Sequence, residues 1–209
     1  MVLTDYFDDA ECINLAHRED KWQQCEAEFE KHGLQVWMYP AINGNEVEYQ
    51  GPLKKGVIGC AMSHRNIIRD AKEMGLDNVL ILEDDVEFDP ELNEKFTNWI
   101  TEVPENWDML YLGGNHNTKR HDNHISPHVL KLSKTQATHA YAVRHTVYDL
   151  ILNRLNNIDK DVDVIYMEIQ RQCNAYCFTP RLAWQRASVS DIHNVFVDYN
   201  FLRDKDGCH

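Results

Sequence analysis

The stretch Val79-Leu80-Ile81-Leu82-Glu83-Asp84-Asp85-Val86 joins four apolar residues to three consecutive carboxylates. A short run of branched apolar residues is typical of a strand that is buried on both faces of a sheet. Unpaired carboxylates are costly to bury, so Glu83, Asp84 and Asp85 are expected where the strand leaves the core. In open α/β sheets, ligands bind at this carboxyl edge of the strands. The stretch predicts a ligand site there, although an acidic solvated turn would give the same pattern.

The composition is that of an ordinary globular protein, with 209 residues, 43% hydrophobic residues and a formal net charge of −13. Nucleic-acid binding needs a basic surface, so the acidic balance argues against a nucleic-acid partner. A phosphate-bearing substrate would need a metal ion or a few local Arg and Lys residues. No apolar stretch has the length of a transmembrane helix, and the acidic start is unlike a signal peptide. The expected location is therefore cytoplasmic.

Cysteines and histidines do not form a metal-site pattern. The six cysteines are too scattered for a zinc or disulfide framework, so reduced thiols, mostly in the core, are expected. Four of the eleven histidines lie in the polar segment 115–128. Their spacing favours a mobile surface loop over a zinc site. A long polar loop of this kind is also a candidate lid over an active site.

The remaining apolar pattern alternates between strands and helices. Strands are predicted over 11–16, 34–39, 107–112, 138–143 and 175–179. Helices are predicted over 17–32, 59–74, 90–100, 145–156 and 163–173. This alternation is typical of an α/β fold with a mostly parallel, Rossmann-like central sheet flanked by helices. We find no linker or repeat, so residues 1–209 are expected to form a single domain.

Three common motifs are absent from the sequence. Without G-x-x-x-x-G-K-[ST], a P-loop nucleotide site is excluded, and without G-x-G-x-x-G the dinucleotide fingerprint is excluded. The absence of G-x-S-x-G argues against a serine hydrolase of the α/β type. The acid-tipped strand therefore needs another explanation.

Segments along residues 11 to 192 resemble, in order, the motifs of the glycosyltransferase 25 family. That family includes lipooligosaccharide biosynthesis enzymes and collagen galactosyltransferases. The matching segments are INLAHREDK (13–21), GVIGCAMSH (56–64), ILEDDV (81–86), THAY (138–141), VD (162–163), PRLAWQR (180–186) and SDI (190–192). Each segment is weakly specific by itself, but their common order is specific.

The resemblance implies a GT-A-like fold, a nucleoside diphosphate sugar donor and a divalent cation, Mn²⁺ or Mg²⁺. A cation held by carboxylates stabilises the charge that develops on the leaving diphosphate. GT-A enzymes hold it with a D-x-D motif, to which Glu83 and Asp85 supply the first and third acids. Alternate strand residues project to the same side, so Asp85 is expected as the principal ligand and Glu83 as a further ligand and donor contact. The departure from D-x-D leaves the relative roles of Glu83 and Asp84 open, and His193 is a third candidate ligand.

Donor-binding residues are expected at the ends of other elements. Asn14, Arg18 and Asp20 follow the first strand, at the edge where a base and ribose would lie. Ser63 and His64 are expected near the start of a helix, whose free N–H groups favour anions. A surface position for Arg18, a capping role for Ser63 and a packing role for His64 are the alternatives.

An inverting transfer also needs a base that accepts the proton of the acceptor hydroxyl. The resemblance and the expected helix start favour Asp163 for this role. Aspartate is also a preferred N-cap residue, so a purely structural role is the alternative, and Asp161 and Glu168 are competing bases.

The sequence therefore predicts an inverting, metal-dependent transferase that moves a hexose such as galactose or glucose. The acceptor would be a glycan, a lipid-linked glycan or a protein. A nucleotidyltransferase or phosphotransferase with a carboxylate-held metal is one alternative, and a non-catalytic sugar-binding relative is another. The acceptor identity and the oligomeric state stay open.

Overall fold

The acid-tipped strand lies inside an eight-stranded sheet in the computed structural model, which describes residues 1–116, 123–192, 195–200 and 203. The strands are β1 (Asp9–Asn14), β2 (Trp37–Pro40), β3 (Asn78–Glu83), β4 (Val86–Phe88), β5 (Met109–Tyr111), β6 (Asn115–His116), β7 (His124–Ser126), β8 (Val129–Lys131), β9 (Thr135–Gln136), β10 (Ala140–Arg144), β11 (Ala175–Phe178), β12 (Ala183–Gln185), β13 (Ser188–Val189) and β14 (Phe196–Val197). The helices are α1 (Glu19–His32), α2 (Lys55–Met74), α3 (Leu92–Trp99), α4 (Tyr148–Leu155) and α5 (Val162–Ile169).

The strand order in the large sheet is β2-β1-β3-β10-β5-β11-β8-β7. Strands β2, β1 and β3 pair in parallel, and so do β5 and β11, whereas β10 is antiparallel to both of its neighbours, β3 and β5. The predicted α/β fold, a mostly parallel sheet flanked by helices, is confirmed. The antiparallel direction of β10 was not predicted. Its physical reason is that no helix lies between β5 and β10 in the described residues, and a parallel return needs such a crossover.

Strand β3 is buried on both faces, as predicted, because its side chains alternate between two apolar layers. Leu80 and Leu82 pack with α1 and α3, while Val79 and Ile81 pack with α2, α4 and α5. All four side chains have no exposed surface, and burial of such side chains contributes roughly 1.5–3 kcal/mol each. By the same alternation, Glu83 leaves the sheet on the α2 side.

Helix α2 is longer than the sequence pattern indicated. It begins at Lys55, so Ser63 and His64 lie in its middle, and the prediction that they lie near a helix start is wrong. Gly59 sits inside the helix because a loop crosses it closely: a Cβ atom there would lie 2.5 Å from the Ile42 carbonyl oxygen. The described residues contain no helix with both the length and the apolarity to span a bilayer.

The histidine-rich segment, predicted as a mobile surface loop, contains short strands in its described parts. The described parts of it form β6, β7 and most of the turn into β8. His116 is buried with its Nδ1 atom 2.9 Å from Thr135 Oγ1, and His128 stacks on Trp99 with 4.5 Å between ring centroids. Residues 117–122 lie outside the described residues, and the lid role stays a prediction.

The packing of Gly59 makes a testable prediction. Gly59→Ala should lower the free energy of unfolding by about 1–3 kcal/mol, because its methyl group would overpack the loop and outweigh a helix-propensity gain of about 1 kcal/mol. Urea denaturation measures the change. Glu73→Ala on the exposed side of the same helix is the control, expected within about 0.5 kcal/mol of wild type. A stabilised Gly59→Ala protein would contradict the close approach.

Candidate active site

The three carboxylates of residues 83–85, called the acid turn below, lie at the carboxyl edge of the sheet. Strand β3 ends at Glu83, and Asp84 and Asp85 form the turn that leads into β4. Strand β1 ends beside them, because Ile13 pairs with Glu83 in the parallel ladder. Asn14 and the acid turn therefore meet at the predicted edge.

Glu83 is held by two side chains from other elements. Thr138 Oγ1 donates a hydrogen bond of 2.6 Å to Glu83 Oε1, and His64 Nε2 lies 3.2 Å from the same oxygen. Burial by itself would raise the pKa of Glu83, but the hydrogen bonds from His64 and Thr138 outweigh it and hold the pKa below its ordinary value. Glu83 is therefore a stable carboxylate.

Asp84 turns to the opposite face and meets a buried lysine. Lys21 Nζ lies 3.0 Å from Asp84 Oδ1 and 2.8 Å from Asp191 Oδ2, and Arg18 also pairs with Asp191. Burial raises the pKa of Asp84, and the Lys21 ammonium limits that rise. Because Lys21 bridges two carboxylates that are far apart in sequence, it fastens the segment around Asp191 to the acid turn.

Asp85 is the least compensated of the three acids. Gln185 Nε2 donates to its Oδ2 atom at 3.2 Å, whereas Oδ1 is buried and has no hydrogen-bond partner in the described part of the chain. Burial, together with the negative charges of Glu83 and Asp84, raises the pKa of Asp85 to about 7. A buried acceptor without a partner is rare, and here it marks a place where a cation would be stabilised.

Asp163 lies in the first turn of α5. The helix begins at Val162 with Asp161 as its N-cap, so the alternative N-cap role for Asp163 is not observed. Ala137 donates its backbone N–H to Asp163 Oδ2 at 3.2 Å. Burial raises the pKa of Asp163 despite the hydrogen bonds from Ala137 and Val164.

The turn that supplies Ala137 has an unusual backbone. Ala137 has φ = +66°, in the left-handed region that residues with a Cβ rarely adopt. Its neighbour Thr138 is the residue that donates to Glu83. This strained turn thus contacts Asp163 and Glu83 through successive residues, and strain of this kind clusters at functional sites.

A cavity of about 140 Å³ lies beside Asp163. Its wall includes Asp163 and Gln185, the side chain that contacts Asp85, and two aromatic residues, Trp184 and Tyr199. Burial and the nearby charges of Asp85, Asp163 and Glu83 raise the pKa of Tyr199. The cavity is therefore lined by Asp163 and by two aromatic rings, and Gln185 links its wall to Asp85.

Several predicted site residues do not reach this cavity. Ser63 and His64 have no exposed surface, and the Ser63 hydroxyl donates to Gly59 O and accepts from Ile42 N, each at 2.8 Å. Direct contact of Ser63 or His64 with the sugar-nucleotide donor is therefore not supported. Glu168, the competing base, pairs with Arg154 and Lys160 on the surface, at 2.8 and 2.7 Å.

The other donor candidates stay near the sheet edge. Arg18 precedes α1 and binds Asp20 through Nε at 2.9 Å, which helps to lower the pKa of Asp20 to about 2. Asn14 is buried, and its Oδ1 atom has no hydrogen-bond partner among the described residues. His193, the third candidate metal ligand, lies outside the described residues.

The possible metal ligands at Asp85 suit a hard cation better than those of a second, mixed cluster of sulfur, nitrogen and oxygen atoms. The buried Oδ1 atom of Asp85, beside the Glu83 carboxylate charge, is the oxygen ligand that Mg²⁺ and Mn²⁺ select. Cys60, His64 and Glu83 also place ligand atoms within 4.8 Å of one another. Both His64 nitrogens in that cluster already have hydrogen-bond partners, and burial keeps the Cys60 thiol protonated by raising its pKa. That cluster is satisfied without a metal.

Sequence reasoning missed five contributors to the site. These are Lys21, Ala137, Thr138, Gln185 and Tyr199. Lys21, Thr138 and Gln185 lie inside the quoted family-like segments, so a signal existed, but nothing in the sequence shows which acid each one meets. The strain at Ala137 and the position of Tyr199 leave no sequence signal.

Comparisons with known proteins agree with the segments quoted above. The sequence profile described as "Glycosyltransferase family 25 (LPS biosynthesis protein)" matches residues 11–181. A "Procollagen lysyl hydroxylase and glycosyltransferase" of Acanthamoeba polyphaga mimivirus is 29% identical, over 79% of this chain and 22% of that protein. "Procollagen galactosyltransferase 1" of Danio rerio is 30% identical, over 51% of this chain and 21% of that protein. A human protein named "Inactive glycosyltransferase 25 family member 3" is 33% identical, over 51% of this chain and 22% of that protein.

The chain spans about a fifth of the length of these relatives. Among solved structures, a glycosyltransferase involved in glycosylation of the major capsid of PBCV-1 has a TM-score of 0.42 and 14% identity, over 73% of this chain and 67% of that one. A mutant Drosophila β1,4-galactosyltransferase 7 in complex with manganese, UDP-Gal and xylobiose has a TM-score of 0.41 and 12% identity, over 94% of this chain and 73% of that one. These scores are too low to carry an argument, so the family assignment rests on the sequence match.

The environment of Asp85 predicts a pH-dependent stability difference. A carboxyl whose pKa rises from 3.8 to about 7 on folding binds more protons when folded, so the free energy of unfolding falls as pH rises through that window. Without metal, Asp85→Asn should therefore be more stable than wild type at pH 8, by on the order of a few kcal/mol, since one pKa unit is about 1.4 kcal/mol. The difference should vanish near pH 4. Thermal unfolding at both pH values checks this, and a variant less stable than wild type at pH 8 would contradict the burial of an uncompensated charge.

Proposed function

The chain belongs to glycosyltransferase family 25, and we propose that it transfers a hexose, galactose or glucose, from a nucleoside diphosphate sugar to a hydroxyl group with inversion. The acceptor would be a glycan, a lipid-linked glycan or a protein. We treat the described residues as one glycosyltransferase domain, because both apolar layers pack on the same sheet.

The observation that carries the proposal is an uncompensated acid at the sheet edge, Asp85, whose hydrogen-bond partner Gln185 shares a cavity wall with a second acid, Asp163. Asp85 is a buried, uncompensated carboxylate at the sheet edge, and Asp163 lines the cavity from α5. The two have different surroundings, since Asp85 lies among negative charges whereas Asp163 accepts backbone N–H groups. Different surroundings suit different roles, one in cation binding and one in proton transfer.

We assign the cation site to Asp85, with Glu83 as the second contact. A bound Mn²⁺ or Mg²⁺ would act as a Lewis acid for the negative charge that develops on the leaving diphosphate. Asp84 is paired with Lys21, so its part is to hold the turn together. Under this proposal Glu83 and Asp84, whose relative roles the sequence left open, have separate roles.

The donor nucleotide is assigned to the edge formed by the ends of β1 and α1. Asn14 offers a buried amide oxygen, which would accept a hydrogen bond from a ribose hydroxyl. Arg18, with a side chain 21% exposed, supplies a positive charge at the rim, and Asp20 orients it through two hydrogen bonds. This placement follows the rule that ligands bind beyond the carboxyl ends of the strands.

Asp163 is assigned as the general base. A raised pKa brings a carboxylate closer to the pH at which it works, and this makes it a better proton acceptor. Ala137 N–H fixes one oxygen, Oδ2, so the acceptor hydroxyl would be met by the other. The aromatic rings of Trp184 and Tyr199 line the same cavity and offer apolar surface to a sugar ring.

Two alternatives make different predictions. A nucleotidyltransferase or phosphotransferase would release pyrophosphate or a phosphorylated product, whereas the proposed reaction releases a nucleoside diphosphate. A non-catalytic relative would bind sugar without metal and would not hydrolyse any sugar nucleotide. The uncompensated Asp85 favours the metal-dependent enzyme, since a protein that binds no cation gains nothing from it.

The donor and metal can be tested together by thermal shift. Mn²⁺ with the correct nucleoside diphosphate sugar should raise the melting temperature, because a ligand that binds only the folded state stabilises it by RT ln(1 + [L]/Kd). Asp85→Asn should abolish the metal-dependent part of the shift. A panel of nucleoside diphosphate sugars, each with and without Mn²⁺, identifies the donor. An equal shift in wild type and Asp85→Asn would remove Asp85 as a ligand.

The base can be tested with a matched pair of variants on α5. Asp163→Asn should reduce transfer by on the order of 10²- to 10⁴-fold, the range for a positioned acid–base group. Glu168→Gln should leave turnover near wild type, because Glu168 is paired on the surface. Donor and metal affinity should survive in both. Normal transfer by a folded Asp163→Asn protein would reject Asp163, and a large loss in Glu168→Gln would reinstate Glu168.

A further inference from the structure

A chain of buried polar side chains runs from the acid turn into the core. Glu83 Oε1 lies 3.2 Å from His64 Nε2, His64 Nδ1 lies 2.9 Å from Tyr141 Oη, and Tyr141 Oη lies 3.0 Å from Tyr166 Oη. His64, Tyr141 and Tyr166 have no exposed surface. The three come from α2, β10 and α5, so the chain joins two helices on that face of the sheet to a strand beside β3.

The hydrogen-bond requirements of Glu83 set the direction of the chain. A carboxylate only accepts hydrogen bonds, so a neutral His64 must carry its proton on Nε2. Its Nδ1 atom then accepts from the Tyr141 hydroxyl, whose oxygen in turn accepts from Tyr166. In this neutral tautomer every donor points toward Glu83, and Glu83 is the partner that selects the tautomer, because the Tyr141 hydroxyl can donate as well as accept.

The hydrogen bonds at Glu83 are unevenly distributed between its two oxygens. Both His64 and Thr138 meet Oε1. The second oxygen, Oε2, is left for a contact at the sheet edge, where the Glu83 side chain is 21% exposed. A carboxylate held at one oxygen in this way presents the other in a single orientation.

We propose that His64 is a positioning residue that orients the Glu83 carboxylate toward the metal and nucleotide. The proposal rests on the function assigned above and replaces the donor contact first expected for His64. Tyr141 and Tyr166 support His64 from the core, and Tyr166 lies on α5, the helix that also carries Asp163. The hydrogen-bond chain therefore ties Glu83 to the helix on which Asp163 lies.

Two substitutions at His64 separate its two contacts. A glutamine amide reaches the position of Nε2, and an asparagine amide reaches that of Nδ1. His64→Gln should keep the Glu83 contact and bind Mn²⁺ with a nucleoside diphosphate near the wild-type affinity. His64→Asn should keep the Tyr141 contact but weaken this binding by roughly 10- to 100-fold, the range for residues that orient a metal ligand. Calorimetric titration measures both, with melting temperatures recorded on the same samples.

A second pair of variants covers the case in which a His64 variant does not fold. Tyr141→Phe interrupts the chain at its centre and should weaken metal–nucleotide binding. Tyr148→Phe removes an equally buried hydroxyl that has no hydrogen-bond partner in the described residues, so binding should not change. A structural role for Tyr141 alone would lower the melting temperature without changing the affinity.

The outcomes separate this inference from the proposed function. If wild type binds the nucleotide and metal but His64→Asn and His64→Gln are equal, the positioning role is wrong and the proposed function stands. Equal affinities for Tyr141→Phe and Tyr148→Phe lead to the same conclusion. A wild-type protein that binds no nucleoside diphosphate with Mn²⁺ overturns both proposals. Weaker binding in His64→Asn than in His64→Gln, at matched stability, supports the orientation of Glu83.

Discussion

The structure depends on one constraint: a strand that is buried on both faces ends in three adjacent carboxylates. Burial of β3 stabilises the sheet, but it brings Glu83, Asp84 and Asp85 to a place where water compensates them poorly. The three carboxylates have different partners. Glu83 receives hydrogen bonds, Asp84 receives the Lys21 ammonium, and Asp85 keeps a buried oxygen that has no partner in the described residues.

The compensating groups come from segments that are distant in sequence, and this organises the rest of the site. Lys21 on α1 links Asp84 to Asp191, more than a hundred residues apart, while Gln185 on β12 contacts Asp85. Thr138 reaches Glu83 from the turn before β10. The groups that compensate the acid turn therefore bring α1, the turn before β10 and strand β12 to one edge of the sheet.

Periodicity predicted most of the fold, because each helix and strand of the core carries an apolar pattern of its own. Periodicity did not predict the features that depend on contacts between distant parts of the sequence. The start of α2 depends on a loop that crosses Gly59, and the direction of β10 depends on how the chain returns from β5. In the site, Glu83, Asp85 and Asp163 were recognisable as residue types at strand and helix ends. The roles of Ser63 and His64 were not, because a buried hydrogen-bond partner 77 residues away leaves no mark on local sequence.

The antiparallel strand β10 has a consequence for how the protein folds. It enters the sheet between β3 and β5, pairing Ala140 with Leu82 and Tyr141 with Tyr111. Such non-local pairing is slow, because a long loop must close before the contacts form. The turn just before β10 carries the contacts to Glu83 and Asp163, and the strand itself supplies side chains to both apolar layers. A chain in which β10 has not yet paired therefore lacks part of its core as well as its site, so closure of the sheet and assembly of the site depend on the same strand.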